Sequence, residues 1–384
     1  MKTPAIPFPI YIMGFTLFAM TTSEYMIAGL MTSMSIDLGV SIPAIGYLIT
    51  VYSLGMVVGG PLLAACLVRL TNKAALLVIT ALFIAATAVA TLAQSYSLLA
   101  AGRFVAGLAS AAFFGFALLA AARLVPPSRF GMAASIVLGG MMIATVAGLP
   151  ISTLLDRFYG WRMPFIFILI LTALAGLAIA GFIPQGQSGA ANSLRAELAS
   201  LRHKAIWAAY GTSFFVIAGT FAAFSYFVPY FEKVVGFDPI VVPAILFAYG
   251  ACTVIGNIVV GRLADNAPIN VIAAGIMLLI AALLALYGLH QHKALVLCAM
   301  MLLGLTGLTL TPAMSARVFN AAPNTSLINT VHTSVICLGV VLGSWFGGLA
   351  IDHGYGYRAP LLIGLGFAVC ALFSVLPILR TNRR

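Results

Sequence analysis

Asp156-Arg157-Phe158-Tyr159-Gly160-Trp161-Arg162-Met163-Pro164 returns near the C-terminus as Asp352-His353-Gly354-Tyr355-Gly356-Tyr357-Arg358-Ala359-Pro360. The shared pattern is D-x3-G-[WY]-R-x-P. A shorter echo accompanies it, Pro43-Ala44-Ile45 and Pro243-Ala244-Ile245. Between these markers run apolar stretches of the length a helix needs to cross a bilayer, with approximate cores at 8–34, 43–68, 74–94, 98–122, 132–155, 163–183, 205–231, 240–261, 270–289, 294–316, 328–351 and 359–379. The nine-residue motif falls between the fifth and sixth stretches and again between the eleventh and twelfth, and the proline triplet opens the second and the eighth. This register predicts an all-α membrane protein with twelve transmembrane helices in two pseudo-symmetric six-helix bundles. An internal repeat of this kind relates two six-span halves by an axis along the membrane normal.

Composition agrees. Hydrophobic residues make up 62% of the chain and charged residues 7%, too few charges to solvate the surface of a water-soluble domain. The first apolar run is too long for a cleaved signal peptide and is read as the first span. The polar break at 184–204 separates a first bundle, 1–183, from a second, 205–384. Within it Leu194, Leu198 and Leu201 recur at helical spacing beside Arg195, Arg202 and Lys204, which suits either a short cytoplasmic surface helix or a solvated linker.

The net charge of +11 suggests a nucleic-acid partner until the basic residues are assigned to alternating sides of the spans. With the N-terminus cytoplasmic, Lys2, Arg69, Lys73, Arg123, Arg129, Arg195, Arg202, Lys204, Arg262, Arg317, Arg380, Arg383 and Arg384 fall inside. Arg157, Arg162, Lys233, Lys293 and Arg358 fall outside. This bias places both termini in the cytoplasm and makes the charge a matter of topology, with the lipid bilayer as partner and no nucleic acid.

Two charges remain within the membrane. Glu24 is the carboxylate deep inside an apolar run, and Arg103 lies in the fourth span at a compatible depth. A charge at bilayer depth costs at least about 2.5 kcal/mol and is usually retained for carrying protons, ions or substrate. Glu24 is therefore read as a proton carrier, with a structural role as the alternative, and Arg103 as the cation that senses it, directly or through water; the alternative for Arg103 is only to satisfy backbone carbonyls or to reach the outer interface. Whether the carboxyl titrates is set by the balance of burial and neighbouring charge. The Gly140, Ala144, Gly148 and Gly339, Gly343, Gly347 stripes permit close helix approach, and Pro150 disturbs the fifth span. Cys66, Cys252, Cys298, Cys337 and Cys370 lack paired or metal-ligand spacing and are read as small core-filling residues; His290 and His292 are loop residues, and His332 a structural one. No metal or cofactor is expected, and hydrolase and nucleotide-binding motifs are missing from the sequence.

Thr21-Thr22-Ser23-Glu24-Tyr25-Met26-Ile27-Ala28-Gly29-Leu30 resembles the T-T-E-F-x-I-x-G-L signature of the twelve-span drug/proton antiporters of the major facilitator superfamily, in their arabinose-efflux and purine-efflux branch. The similarity extends over the chain, through Gly59-Gly60-Pro61-Leu62-Leu63, Arg103-Phe104-Val105-Ala106-Gly107, Phe113-Phe114-Gly115 and Gly160-Trp161-Arg162. It implies a monomeric secondary transporter of the bacterial inner membrane, not an enzyme, exchanging protons for a small-molecule substrate such as a drug, sugar or nucleoside. An uncoupled facilitator or proton symporter is the alternative, with a membrane enzyme or receptor more distant. The loop motif of this family carries an acid before its basic residues. Here Arg69 and Lys73 are present but Val68 takes the acidic position, while Arg262 and Asp265 keep the pair in the second half. Gly140, Gly148 and Pro150 match the fifth-span antiporter motif in part. An apolar, aromatic site is expected, drawing on Thr22, Tyr25, Phe113, Phe221, Phe224, Tyr226 and Asn257.

Overall fold

The computed structural model describes residues 6–67, 69–126, 129–185, 204–264, 267–321 and 326–381. Val68, Asp265 and nearly all of the 184–204 break, with its leucine stripe, lie outside them. The described residues form helices α1 (Phe8–Leu38), α2 (Ile42–Leu67), α3 (Asn72–Leu92), α4 (Tyr96–Leu124), α5 (Phe130–Tyr159), α6 (Arg162–Phe182), α7 (Lys204–Phe224), α8 (Val242–Ala264), α9 (Pro268–Gly288), α10 (Lys293–Ala321), α11 (Ser326–Ala350) and α12 (Ala359–Thr381). Among the described residues eleven segments, within α2 to α12, are long and apolar enough to span a membrane. Helix α1 is the longest, 31 residues or about 46 Å, but Thr21-Thr22-Ser23-Glu24-Tyr25 dilutes its apolar character. The outward face of α6 presents Ile170, Leu174 and Leu177, each more than half exposed, a surface suited to lipid rather than water.

Helix ends follow the local sequence. Thr71 and Ser95 cap α3 and α4, accepting from the amides of Ala74 and Leu98, which satisfies donors that the first helical turn leaves open. The nine-residue repeat builds the same turn twice. Gly160 and Gly356 adopt φ of +82° and +75°, a region costly for residues with a side chain, and each carbonyl accepts the amide three residues on, at 3.0 and 3.1 Å. The next conserved feature of the pattern, its arginine, reaches the end of the third helix of its half: Arg162 donates to Ala93 O at 3.2 Å and Arg358 to Tyr287 O at 2.7 Å. Both guanidinium carbons stand 4.2 Å from an aromatic ring centre, over Trp161 and Tyr287. The repeat is thus a corner that ties helix ends together.

The chain contacts divide into two compact units, Met1–Ser33 with Val51–Asn192 and Met34–Thr50 with Ser193–Arg384. Inside the first, α3 packs on α4 and α6, and α5 on α6; inside the second, α9 packs on α10 and α12, and α11 on α12. The glycine stripes serve equivalent pairs. A Cβ at Gly140 would collide with Gly14 O of α1 and one at Gly148 with the Thr22 hydroxyl. A Cβ at Gly343 would collide with Ala218 O of α7, while Gly339 faces Phe214 O. Both stripes therefore hold helices of a single unit against each other. Residues 34–50 pack within the second unit, where Tyr47 Oη donates to Asp352 at 2.8 Å and Ser344 Oγ to Gly46 O at 3.3 Å.

A π-helical turn at Ala144–Gly148 precedes Pro150, in keeping with the distortion expected of the fifth span, and the helix continues past it. Two details differ from the sequence reading. Helix α10 runs to Ala321, beyond the expected end at 316, so Arg317 is buried within the helix and not in a cytoplasmic loop. The cysteines are not uniformly core-filling: Cys337 is buried, whereas Cys66, Cys298 and Cys370 are exposed on their helices. Cysteine is small and apolar enough to serve on either face of such a helix.

Candidate functional site

The first unit brings Glu24 and Arg103 together. Arg103 sits on α4 between glycines that admit other backbones: Gly102 faces Ala86 O and Ala90 of α3, and a Cβ at Gly107 would collide with Tyr52 O of α2. Gly55 and Gly59 repeat this contact from the α2 side, against Phe104 and Leu108. Close approach of α2 lays the Tyr52 ring over the guanidinium, 4.2 Å from its centre to the guanidinium carbon. Tyr52 Oη in turn donates to Met20 O of α1 at 3.2 Å.

Arg103 is 1% exposed and Glu24 6%, so both charges are withdrawn from bulk solvent. The guanidinium Nη1 donates to Ser23 O at 2.7 Å and to Ser23 Oγ at 3.0 Å, and Nη2 to Glu24 O at 3.4 Å. Arg103 thus grips the main chain at the position of Glu24, and the Glu24 carboxylate is not among the groups it holds. Binding of backbone carbonyls is the geometry found for Arg103. Arg103 Nε is enclosed without an acceptor, an arrangement whose cost must be offset by the surrounding bonds. A carboxyl left outside the fork, near a fixed cation, can change protonation without dismantling the fork.

Of the expected substrate-facing residues, Thr22 packs against Gly148 of α5, and its buried hydroxyl has no partner among the described residues. Tyr25 and Phe113 are buried in the same unit. Phe221 and Phe224 lie in the second unit within an aromatic cluster, ring centres 5.4 Å apart, with Tyr249 of α8 stacked on Phe224 at 5.6 Å. Tyr226 is buried and donates to Ser344 O at 3.1 Å, while Asn257 is half-buried on α8. Arg69 and Arg262 are exposed at helix ends, and Lys73 is half-buried at the start of α3. Tyr52, Ser23 and Tyr249 are the participants that the sequence reading lacked; the Gly55 and Gly59 spacing on the α2 face was the available pointer to Tyr52.

The second unit holds a separate polar group. Arg317 Nη1 donates to Thr212 Oγ1 at 2.6 Å and Nη2 to Ala208 O at 3.4 Å. Thr212 Oγ1 lies 2.6 Å from Ser374 Oγ, which donates to Ala371 O. On the adjoining face of α7, His332 Nε2 is 2.8 Å from Ser213 Oγ and its ring stacks on Tyr210, in keeping with a structural histidine.

Known proteins give the same frame. The chain is 33% identical over 375 residues to a chloramphenicol resistance protein of Streptomyces lividans, covering 96% of each. It is 29% identical over 371 residues to the inner membrane transport protein YdhP of Escherichia coli O157:H7, covering 96% of this chain and 95% of that one. The crystal structure of a bacterial homologue of the human lysosomal transporter Spinster superposes with a TM-score of 0.73 over 98% of both chains at 14% identity, a likeness of fold. The sequence profile of the Major Facilitator Superfamily matches residues 13–339, and with these relatives along nearly its whole length the chain belongs to that superfamily of membrane transporters, not to an enzyme family.

Proposed function

We propose that this protein is a proton-coupled exporter of small organic molecules, a monomer of the bacterial inner membrane with twelve spans in two six-helix halves, both termini cytoplasmic, working by alternating access. The observation that carries the reading is the first-unit pair: a buried carboxyl at Glu24 and a buried arginine whose Nη1 and Nη2 are bonded to α1. Glu24 takes up and gives off the proton. Arg103, anchored on Ser23 O and Glu24 O, gives that event a fixed electrostatic reference, and the change in their attraction biases the inward/outward equilibrium.

The substrate side draws on the second unit's aromatic rings, Phe221, Phe224 and Tyr226, with Asn257 as a polar contact, and on Thr22, Tyr25 and Phe113 of the first. Such surfaces suit semi-polar organic molecules better than phosphates, and the resemblance to a chloramphenicol resistance protein supports a substrate of that kind. Arg69, Lys73 and Arg262 are assigned to the cytoplasmic helix ends as conformational contacts, and Gly140, Gly148 and Pro150 to the close α1–α5 packing that transmits movement of α1; Asp265, expected to join them, lies outside the described residues.

The test is reconstitution into vesicles with an imposed pH gradient and a panel of chloramphenicol, a nucleoside and arabinose. Gradient-driven flux of a panel member in wild type, lost in Glu24→Gln while counterflow exchange persists, is the expected result. Flux that the gradient leaves unchanged assigns the protein to uncoupled facilitation instead.

A further inference from the structure

We propose that the Arg317 edge in the second unit is an oxyanion-binding site, taking a carboxylate or phosphate group. Arg317 lies four residues before the end of α10, about 6 Å along the helix, and is only 6% exposed. A snorkelling arginine would extend to the interface; this one turns inward to α7. Its hydrogen-bond acceptors are a threonine hydroxyl and a backbone carbonyl, with no carboxylate between them. The chain of hydroxyls behind it, Thr212 to Ser374 to Ala371 O, is also neutral. A cation withdrawn from water with no carboxylate bonded to it among the described residues is costly, and a ligand that supplies the charge recovers that cost.

The geometry points to where the ligand binds. Thr212 Oγ1 lies 3.1 Å from Ala208 O, so both acceptors stand at the Nη1–Nη2 end of the guanidinium. The parallel N–H pair of Nε and Nη2 forms the other usable edge. Arg103 Nε and Arg358 Nε are enclosed without partners, but no Arg317 atom shares that condition among the described residues. Arg317 Nε makes no hydrogen bond among the described residues and is the donor left for a molecule from outside the chain. Two parallel donors on a planar fork match the spacing of carboxylate or phosphate oxygens, which a point charge does not. Because Thr212 already orders one end of the group, little further side-chain entropy is lost on binding. The oxyanion can belong to a soluble organic acid or to an anionic lipid headgroup.

The test uses the purified full chain in phosphatidylcholine nanodiscs, with sodium acetate, sodium phosphate and sodium chloride at equal ionic strength as probes and the thermal midpoint as readout. For a soluble source, acetate or phosphate raises the wild-type midpoint by about 2 °C over chloride at saturation. Arg317→Gln erases the rise, and Arg317→Lys, which keeps the charge but loses the fork, retains only part of it. For a headgroup source, replacing part of the phosphatidylcholine by phosphatidylglycerol raises the wild-type midpoint instead, and Arg317→Gln again erases the rise. Glu24→Gln retains either response, so failure of the proton-coupling reading leaves this site standing. If Arg317→Gln does not fold, Arg317→Lys carries the comparison. Equal responses of wild type and Arg317 variants to every probe and lipid, or no response beyond that to chloride, would overturn the proposal.

Discussion

Two buried arginines stand at opposite ends of equivalent helices. Arg103 is seven residues from the start of α4 and Arg317 four from the end of α10, and both helices are 29 residues long. Arg103 is bonded to Ser23 and the backbone at Glu24, lies under Tyr52, and has a carboxyl in its field. Among the described residues Arg317 is bonded to Thr212 and Ala208, without a carboxyl. Yet the helix pairings, the glycine approaches and the corner glycines agree between the units. The repeat has preserved the frame, which depends on small residues at contacts, and let the polar chemistry diverge.

The shared frame is where the largest effects are expected. Gly140→Leu and Gly343→Leu each force a side chain into a facing backbone carbonyl, which cannot yield as a flexible side chain would; each should cost more than about 3 kcal/mol and abolish the monodisperse peak in size-exclusion chromatography. Equal damage at both sites supports equivalent frames, and a tolerant Gly343 would break the equivalence.

The arginines should separate next. Arg103→Ala leaves Glu24 buried without its cation and should destabilise by about 3 kcal/mol, read as the thermal midpoint in detergent. Combined with Glu24→Gln, much of that cost should disappear, a coupling of more than about 1 kcal/mol in a double-mutant cycle. The corresponding cycle of Arg317→Ala with Glu24→Gln should be additive within about 0.5 kcal/mol. Coupling of similar size in both cycles would remove the distinction between the two arginines.

Smaller effects sharpen the corners. Arg162→Ala and Arg358→Ala each remove one charged bond to a helix-end carbonyl and one aromatic contact. Each should cost about 1–2 kcal/mol, with the two adding in the double variant. Tyr52→Phe, which keeps the ring over Arg103 but loses the bond to Met20 O, should cost about 1 kcal/mol.

The frame was legible in the sequence because it is written in a few residue types. The glycines at 160 and 356 and the arginines at 162 and 358 mark a turn that needs positive φ and a donor. Glu24 and Arg103 were legible as charges in apolar runs, but the grip of Arg103 was not. Two of its three acceptors are backbone carbonyls, which every residue has, and Tyr52 was marked only indirectly, by Gly55 and Gly59 on the same helix. Arg317 was misassigned to a loop because a helix boundary five residues short moves a charge from the interior to the interface. Cysteine gives no periodic signal at all, and Cys66, Cys298 and Cys370 face outward where a core position was expected.

The carboxyl at Glu24 as the site that exchanges the proton is tested most directly by proton release. Purified wild type and Glu24→Gln are placed in weakly buffered detergent solution with a pH-sensitive dye, and the panel compound shown to be transported is added. Wild type should release protons as that compound binds, and Glu24→Gln should bind it with no release. Equal release from both proteins, or binding without release from wild type across the pH range of transport, would contradict the assignment of proton coupling to Glu24.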